Sequence, residues 1–520
     1  MNNFSPSRRG LVAGVGLSAL AACIPAPARN PRQLVVSIAS DITTLDGATS
    51  FLLPNLIAPN VCYERLLRLR TEAGETRGVE GDVAEAWELA PDKSSITFHL
   101  KGGHRYDDGA ELQASDFIFG IERIQQQRFP AAQALFWYAG AEAPDPRTLR
   151  IRLSAWAPYI PYLLTAPGLG FVNPAIVRHA QGDDQGSAWL RENTAGSGPY
   201  RVVRFAARDE VALAPNPHAA QQPAYFEDVR LRVSKDSSIR LIELDKSDVD
   251  ILESVGPFQQ DWLTQRTGVA VSAAPAPIVL FLHLNNEKPL FRDPRVRRAI
   301  SLAIDRDSIV SSIYRGKART ISGVLPPGVP GHDPSLPLPA YDPEAARALM
   351  REAGVPANQP IELTVVGDGG GPSATQLALR ESLRAIGFDV SIKQIAAAAR
   401  SQIFAGEFDI TTQSISIDFP DPWIVFTFVY NSQMIGAGNM ARYSNPAVDA
   451  LLARADALDG EARNALYRDA QKIVYEDLPS IPLFQTSWGY AQSRDIAPFA
   501  YNYSTPMMLP FHTMQRAARL

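Results

Sequence analysis

A strand–helix–strand pattern in the C-terminal half of the chain most strongly limits the folds that this sequence can adopt. Residues 361–366 are predicted to form a strand, and residues 388–392 alternate apolar and polar side chains as a second strand does. Between them, Leu379, Leu383 and Ile386 recur at the spacing of one helical face. Two strands joined through a helix pair in parallel beneath that helix. The pattern predicts an α/β fold with a mostly parallel sheet covered by helices.

Further strands and helix starts are predicted along the chain. Residues 33–38 open the folded part as a strand, residues 96–100 alternate like a half-buried strand, and residues 278–284 are an apolar run suited to a central strand. Asp293 and Asp342 each precede a proline. Aspartate accepts a backbone N–H at the start of a helix, and proline suits the first helical position. Both aspartates are therefore predicted to cap helices.

The N-terminus is predicted to be an export signal, residues 1–22. Arg8 and Arg9 precede an uncharged run that is too short to span a bilayer as a helix. Small residues before Cys23 resemble the lipobox of bacterial lipoproteins, in which the cysteine is lipidated, and residues 23–32 are predicted to be the lipidated tether. The paired arginines also resemble a twin-arginine export motif. An ordinary cleaved signal with a chance cysteine is the alternative.

The composition argues against several classes of protein. Asp and Glu number 55 against 50 Lys and Arg, giving a formal charge of −5, whereas nucleic-acid binding favours a basic surface. Two cysteines cannot build a disulfide framework or a zinc ribbon. The sequence has no H-E-x-x-H motif, no G-x-S-x-G elbow and no Walker A sequence. We predict no catalytic residue, no metal site and no cofactor, and a binding role outside the cytoplasm.

An ordered series of short motifs then resembles family 5 of the bacterial solute-binding proteins, the dipeptide, oligopeptide and nickel receptors of ABC importers. The most diagnostic stretch is DGAELQASDF at residues 108–117. The other matching blocks are residues 44–46, 63–66, 84–87, 97–101, 196–200, 293–300, 303–306, 341–346, 418–422, 445–449 and 479–483. Gly47 stands where the family usually has proline, and Phe419 stands where it has tyrosine. The ordered set, rather than one block, carries the resemblance.

The resemblance implies a periplasmic-binding-protein type II fold, in which two α/β lobes are hinged by two crossing segments and an extra lobe is inserted. By analogy, lobe I takes residues 33–55, 190–275 and 490–515, the inserted lobe takes residues 56–189, and lobe II takes residues 276–489. The ligand is enclosed between lobes by hinge closure. The expected partners are a small solute, an ABC permease and ATPase complex, and a membrane through the lipid anchor. The protein itself is expected to be a monomer.

The resemblance also suggests which side chains meet the ligand. Asp418 matches the family position of a carboxylate that fixes the α-amino group of a peptide, and a buried ammonium needs such a partner. The predicted ligand-binding residues are Asp418, Phe419, Trp423, Trp137, Tyr138, Phe51, Leu53, Phe484 and Trp488. For each aromatic residue, burial in the core is the competing interpretation. Asp421 is interpreted as structural.

The ligand class stays open at this point. The residues before Asp418 lack a tryptophan that many relatives carry, so a nickel chelate, an opine or an oligosaccharide is the alternative to a peptide. An exported hydrolase on this scaffold is an alternative of another class. A signalling or chaperone-like receptor that uses the same cleft is a third.

Overall fold

The computed structural model describes residues 30–50, 52–223, 225–367, 371–396 and 399–518. The predicted export signal, the predicted lipidation site Cys23 and the predicted ligand-binding residue Phe51 lie outside these ranges. Within them, no helix combines the length and the apolar character that crossing a membrane requires.

The described residues form both strands and helices. The strands are β1 Gln33–Ile38, β2 Leu67–Glu72, β3 Glu75–Gly81, β4 Ala84–Leu89, β5 Ser95–Leu100, β6 Tyr138–Asp145, β7 Thr148–Leu153, β8 Tyr200–Ala206, β9 Glu210–Pro215, β10 Asp228–Val233, β11 Ile251–Leu252, β12 Val269–Leu284, β13 Ala318–Arg319, β14 Gln359–Val366, β15 Phe388–Ile395, β16 Ile410–Ser416 and β17 Ser480–Ser493. The helices are α1 Leu53–Cys62, α2 Ala114–Gln126, α3 Ile160–Leu163, α4 Ser187–Leu190, α5 Ser237–Asp245, α6 Pro257–Leu263, α7 Pro289–Arg292, α8 Pro294–Leu302, α9 Arg306–Ser312, α10 Pro343–Glu352, α11 Ala374–Arg384, α12 Ser401–Phe404, α13 Trp423–Val425, α14 Pro446–Asp456 and α15 Gly460–Asp477.

The largest sheet has the strand order β15-β14-β16-β12-β17-β11-β1-β10-β9-β8, with β13 beside β17. β14 pairs in parallel with β15 and β16, and β1 pairs in parallel with β10 and β11. The other neighbouring strands are antiparallel. The α/β class is confirmed, but the prediction of a mostly parallel sheet is wrong. The sheet is mixed because β12 and β17 lie, as long antiparallel strands, between the two parallel sections.

β12 and β17 connect the two halves of this sheet. They pair along most of their length, with a register shift between Pro275 and Val279. Proline has no N–H to give to a ladder, and the sequence places prolines at 275 and 277, so the pairing is interrupted there. The side chain of Gln485 donates to the carbonyl of Ala276 at 2.7 Å across the interruption. Two long strands with a local break correspond to the pair of crossing segments that the resemblance implies.

A second, four-stranded sheet with the order β4-β5-β7-β6 lies beside the large one. Its core combines alternating strand residues such as Phe98 and Ile151 with Phe117 and Ile121 from one face of α2. Arg123, also on α2, donates to both carboxylate oxygens of Asp46 at 2.7 and 3.1 Å, and both side chains are buried. This ion pair fastens the smaller sheet to the segment that follows β1.

Several local predictions are confirmed. The predicted strands at 33–38, 96–100 and 278–284 are β1, β5 and the second half of β12. Asp293 accepts from the backbone N–H of Arg295, and Asp342 accepts from that of Ala345, as helix caps do. The exact lobe boundaries stay predictions.

Candidate functional site

Asp418 lies where β16 leaves the sheet next to the interruption in β12. Ser416 at the end of β16 pairs with Ile278, and the N–H of Ile417 donates to the carbonyl of Pro277 at 2.8 Å. The chain then turns through the proline-rich residues 419–422 instead of continuing the strand. Asp418 is therefore held by backbone bonds beside the crossing strands.

Among the described residues, Asp418 has a hydroxyl partner but no cationic one. The hydroxyl of Ser416 donates to Asp418 Oδ1 at 2.6 Å. No lysine, arginine or histidine of the described ranges forms an ion pair with this carboxylate. The side chain is half-buried, and burial raises the pKa of Asp418 to about 6, although the bond from Ser416 opposes the rise. The carboxylate can accept an additional, positively charged donor.

Asp421, three residues further on, is fully satisfied. Its two carboxylate oxygens accept from the guanidinium of Arg463 at 2.6 and 2.9 Å, and its Oδ1 also accepts from the backbone N–H of Trp423 at 2.8 Å. The side chains of Asp421 and Arg463 are both buried. The interpretation of Asp421 as structural is confirmed.

Aromatic rings join this segment to the region of the smaller sheet. We call the following six residues the aromatic interface: Phe136, Tyr159 and Tyr162 on one side, and Phe419, Trp423 and Phe428 on the other. Trp423 stacks on Tyr159 with ring centroids 4.4 Å apart and on Phe136 at 5.7 Å. Phe419 stacks on Tyr162 at 5.1 Å, and Phe428 meets the edge of Trp423 at 5.8 Å. The interface buries Phe419 and Trp423 in the core of the smaller sheet.

Two charged contacts flank the aromatic interface. The guanidinium of Arg463 lies 5.8 Å from the ring of Tyr159, so the structural ion pair also contacts the stacked rings. Lys93, next to β5, forms an exposed ion pair of 3.1 Å with Asp459, just before α15. The same two regions thus meet through rings, a buried guanidinium and an exposed pair.

The structure brings some of the predicted ligand-binding residues together. Phe419 and Trp423 lie within a few residues of Asp418 and form one side of the aromatic interface. Tyr138, the first residue of β6, is half-buried and contacts Trp137 edge-on at 6.2 Å. Leu53, at the start of α1, is half-buried against a separate core that contains β1.

Two predicted ligand-binding residues, Trp137 and Phe484, are packed in hydrophobic cores. Trp137 is buried, belongs to the core of the smaller sheet, and donates from Nε1 to the carbonyl of Ala134 at 2.6 Å. Phe484 is fully buried on β17 and contacts Tyr314 edge-on at 4.6 Å. Burial of both rings favours the competing interpretation, packing in the core, and their contact with the ligand stays a prediction.

Trp488 keeps a partly exposed ring. It lies on β17 opposite Ala274 of β12, beside the interruption, and its Nε1 donates to the carbonyl of Glu253 at 3.1 Å. Tyr159 and Tyr162 were not predicted. Their signal in the sequence is the run WAPYIPY at residues 156–162, in which aromatic residues alternate with prolines outside any strand or helix pattern. Among the described residues, no group of three or more His, Cys, Asp or Glu is arranged to hold a metal ion.

Comparisons with known proteins agree with this architecture. Residues 78–436 match the family model described as bacterial extracellular solute-binding proteins, family 5 Middle. The probable D,D-dipeptide-binding periplasmic protein DdpA of Escherichia coli is 30% identical over 522 residues, covering 99% of each chain. The di/tripeptide-binding protein 2 of Pseudomonas aeruginosa is 27% identical over 444 residues, covering 80% of this chain and 82% of its own.

Solved structures show the same fold. The periplasmic binding protein DppA from Helicobacter pylori, in complex with the peptide STSA, superposes with a TM-score of 0.84 at 22% identity over 93% of this chain and 98% of its own. A dipeptide-binding protein from Pseudoalteromonas, in complex with Met-Leu, gives a TM-score of 0.83 at 20% identity over 93% of this chain and 100% of its own. The type II periplasmic-binding-protein fold is thereby confirmed. The chain belongs to the bacterial extracellular solute-binding proteins of family 5, whose members bind solutes for transport rather than acting as enzymes.

Proposed function

We propose that this protein is the solute-binding component of an ABC importer and captures a short peptide whose α-amino group pairs with Asp418. The observation that carries the proposal is the half-buried Asp418 carboxylate. It accepts a hydrogen bond from the hydroxyl of Ser416 but forms no ion pair with a cationic side chain of the described residues. A buried carboxylate without a cation is costly, and a peptide ammonium would supply the missing charge and donors.

The aromatic interface supports a ligand enclosed by closure. Trp423 and Phe419 follow Asp418 directly, and they stack on Tyr159 and Tyr162 from the region of the smaller sheet. Stacked rings exclude water, which strengthens an ion pair made beside them. Closing of the interface would therefore hold a ligand that is bound at Asp418.

The names of the relatives support a dipeptide as the ligand. DdpA of Escherichia coli, similar over 99% of the chain, is named for D,D-dipeptides, and the Pseudomonas aeruginosa relative is named for di- and tripeptides. An α-amino group can reach one carboxylate with either chirality at the adjacent carbon. The chirality of the ligand must therefore be measured, by testing L,L- and D,D-dipeptides in parallel.

We further propose where the protein acts. Export through the signal at residues 1–22, by the general or the twin-arginine route, would place it in the periplasm, and lipidation of Cys23 would tether it to a membrane there. The monomer would deliver its ligand to a permease and ATPase complex. Replacing Cys23 by alanine should move the protein from the membrane fraction to the soluble periplasmic fraction; unchanged fractionation would remove the lipid anchor from the proposal.

Calorimetric titration of the full-length protein, refolded to remove any co-purified ligand, tests the peptide assignment. The ligands are L-Ala-L-Ala, D-Ala-D-Ala and their N-acetylated forms. We expect one of the free dipeptides to bind and its acetylated form to bind about 100-fold more weakly or worse, because removing one member of a buried charge pair costs about 2–5 kcal/mol. Asp418→Asn should cause a similar loss. Asp469→Asn, an exposed aspartate on α15, is the matched control and should bind normally.

Other outcomes distinguish the alternatives. Equal binding of free and acetylated dipeptides would overturn the role of Asp418 while keeping a peptide ligand. Binding of nickel with histidine, an opine or an oligosaccharide, without binding of any dipeptide, would keep the transport role and replace the ligand. Release of alanine from the dipeptides would indicate a hydrolase.

A further inference from the structure

A charged cluster that does not include Asp418 joins the two predicted lobes. Its carboxylate is Asp261 on α6, within residues 190–275 of predicted lobe I. Its cations are Arg315 and Lys317, which lie between α9 and β13 in predicted lobe II. Asp261 Oδ2 accepts from Nε of Arg315, and Oδ1 accepts from Nζ of Lys317. Neither cation forms an ion pair with another carboxylate of the described residues, so one acid holds two cations across the boundary between the lobes.

The helix that carries Asp261 is anchored in predicted lobe I. Leu263, two residues further on, is fully buried in a hydrophobic core that also contains Val35 of β1. Gln260 donates from Nε2 to the carbonyl of Val255 at 2.9 Å, which ties the helix to the segment before it. Because its apolar side is packed on this core, α6 should move with lobe I as one body.

The turn that carries the two cations is fixed in predicted lobe II. The N–H of Gly316 donates to the carbonyl of Val310 at 2.9 Å. The N–H of Lys317 donates to the carbonyl of Tyr314 at 2.8 Å. The backbone of Arg315 is left-handed, with a φ of 51°, which is disfavoured for a residue with a Cβ. The turn is therefore held against α9 in a defined conformation, from which both cations reach α6.

The cluster bridges the interruption in the pairing of β12 with β17. β13 directly follows the two cations and pairs with β17 at Gln485 and Thr486. Gly489 of β17 packs instead against Gln260 of α6. The interruption lies between these two sections of β17. Bending of the crossing strands at this point, as hinge closure requires, would change the distance between Asp261 and both cations.

Salt should weaken this cluster because it is open to solvent. The side chains of Asp261, Arg315 and Lys317 are 35%, 47% and 27% exposed. Charges at this depth attract each other when salt is low and are screened when salt is high. Hydrogen bonds from Lys317 and Arg315 lower the pKa of Asp261, so the carboxylate stays ionised at neutral pH. The ring of Phe258, also on α6, lies 6.0 Å from the guanidinium of Arg315 and adds a cation–π contact.

We infer that Asp261 forms an ionic latch with Arg315 and Lys317, which favours the closed arrangement of the two lobes at low salt and releases it at high salt. The latch needs no ligand, so the inference goes beyond the proposed capture of a peptide at Asp418. A ligand that binds only the closed form gains apparent affinity in proportion to the closed fraction. Ionic strength would therefore set how readily the protein captures its solute.

Small-angle X-ray scattering of the full-length protein tests the latch. The protein is refolded to remove co-purified ligand and measured at about 0.02 M and about 0.5 M salt, with extrapolation to infinite dilution. We expect the unmodified protein to have a smaller radius of gyration at low salt than at high salt. Asp261→Asn should keep the larger value at both salt concentrations and lose most of the salt dependence. Asp469→Asn, which removes an exposed pair within α15, is the matched control and should behave like the unmodified protein.

Charge reversal separates attraction across the lobes from an effect of Asp261 on folding. Asp261→Lys should increase the radius of gyration at low salt, because like charges then face each other. Adding Arg315→Asp and Lys317→Asp should restore the smaller value with the charges exchanged. Lys317→Gln, which keeps the pair with Arg315, should give an intermediate value and is the second variant should Asp261→Asn fail to fold.

Dipeptide binding is a separate arm. Whichever of L-Ala-L-Ala and D-Ala-D-Ala binds should bind Asp261→Asn about three- to tenfold more weakly at low salt. Asp418→Asn should keep the salt dependence of the radius of gyration, because that residue lies outside the latch. If neither dipeptide binds, the proposed ligand fails while the scattering still decides the latch. If ligand-free Asp261→Asn and the unmodified protein have equal radii of gyration at low salt, the inference is overturned, whatever the result with dipeptides.

Discussion

Two carboxylates of one loop, Asp418 and Asp421, have opposite surroundings. Asp421 accepts two bonds from the buried guanidinium of Arg463 and a third from a backbone N–H. Asp418 accepts one from the hydroxyl of Ser416, and burial raises its pKa to about 6. The same residue type thus serves the fold at one position and stays available to a ligand at the other. What separates the two roles is the cation, not the depth of burial alone.

Two other buried carboxylates have a guanidinium partner, as Asp421 does. Asp46 is paired with Arg123 and Glu253 with Arg240, and in both pairs the side chains are buried. Each pair joins segments that are distant in the sequence or packs a helix on the large sheet.

Asp116 and Asp333 are buried without an ion pair among the described residues, and accept from hydroxyl and backbone N–H groups. Asp418 accepts from one such donor, the hydroxyl of Ser416, so a ligand cation would complete its site.

The largest effect should come from breaking the satisfied pair. Asp421→Ala should lower the free energy of unfolding of the ligand-free protein by about 3–5 kcal/mol, because Arg463 is left buried without its counter-charge. Asp418→Ala should be neutral or slightly stabilising at pH 8, since it removes a buried charge that has no cation. Denaturant unfolding of both variants checks this. A larger loss in Asp418→Ala than in Asp421→Ala would reverse the assignment of roles.

The next effect concerns the pH dependence of ligand binding. The pKa of Asp418 in the ligand-free protein is raised to about 6, and a bound ammonium would lower it. Dipeptide affinity should therefore be highest near pH 7 and fall by up to about tenfold per pH unit below pH 6, where Asp418 must lose a proton before it binds the ligand. It should also begin to fall near pH 8, where the α-amino group of the free ligand loses its proton. The measurement is calorimetric titration between pH 4.5 and pH 8.

A second carboxylate provides the control for this slope. Burial also raises the pKa of Asp456 to about 6, while the nearby Arg463 opposes the rise. Asp456→Asn should retain the slope of dipeptide affinity with pH, and Asp418→Asn should bind weakly with no slope. If the pH dependence of dipeptide affinity disappeared in Asp456→Asn, the titrating group would be Asp456 and not Asp418.

A smaller effect is expected at the aromatic interface. Tyr159→Leu removes the ring that stacks on Trp423 at 4.4 Å, and an aromatic pair contributes about 0.5–1.5 kcal/mol beyond burial. Dipeptide affinity should fall about three- to tenfold. The fall should come mainly from faster dissociation, because the closed form loses this ring contact while the ion pair between Asp418 and the ligand is unchanged. Stopped-flow release of a fluorescent peptide measures it. Tyr341→Leu, which changes an exposed tyrosine outside the interface, is the control. Equal dissociation rates in the two variants would show that the aromatic interface does not stabilise the closed form.

The range of a contact along the chain explains which parts of the fold the sequence could predict. Strands β1, β5 and β14 and the capping aspartates follow from spacing within a few residues, so periodicity and capping rules predict them. The parallel section around β14 was likewise predictable from the strand–helix–strand pattern, whereas the parallel pairing of β1 with β10 and β11 was not predicted. The antiparallel placement of β12 and β17 was not, because it depends on pairing between segments about two hundred residues apart.

The candidate site divides in the same way. The motif around Asp418 predicted a carboxylate with a special role, but the missing cation could only be seen once the surrounding side chains were placed. Trp137 and Phe484 were expected beside the ligand, yet neighbouring elements bury them. Tyr159 and Tyr162 were missed because their proline-interrupted segment contains only the short helix α3, and four residues give no periodicity to indicate which ring faces outward.

The smallest effect should come from the exposed pair that flanks the aromatic interface. Lys93 and Asp459 join the same two regions as Tyr159 and Trp423, at 3.1 Å, but their side chains are 43% and 55% exposed. Solvent and salt screen such a pair, so its typical contribution is about 0.2–1 kcal/mol. Lys93→Gln should change dipeptide affinity by less than about threefold at physiological salt, and raising the salt should erase even that difference. Titration at low and high salt measures it, with Lys472→Gln, whose exposed pair lies within α15, as the control. A salt-independent loss comparable to that of Tyr159→Leu would mean that charge at the rim, and not ring stacking, holds the two regions closed.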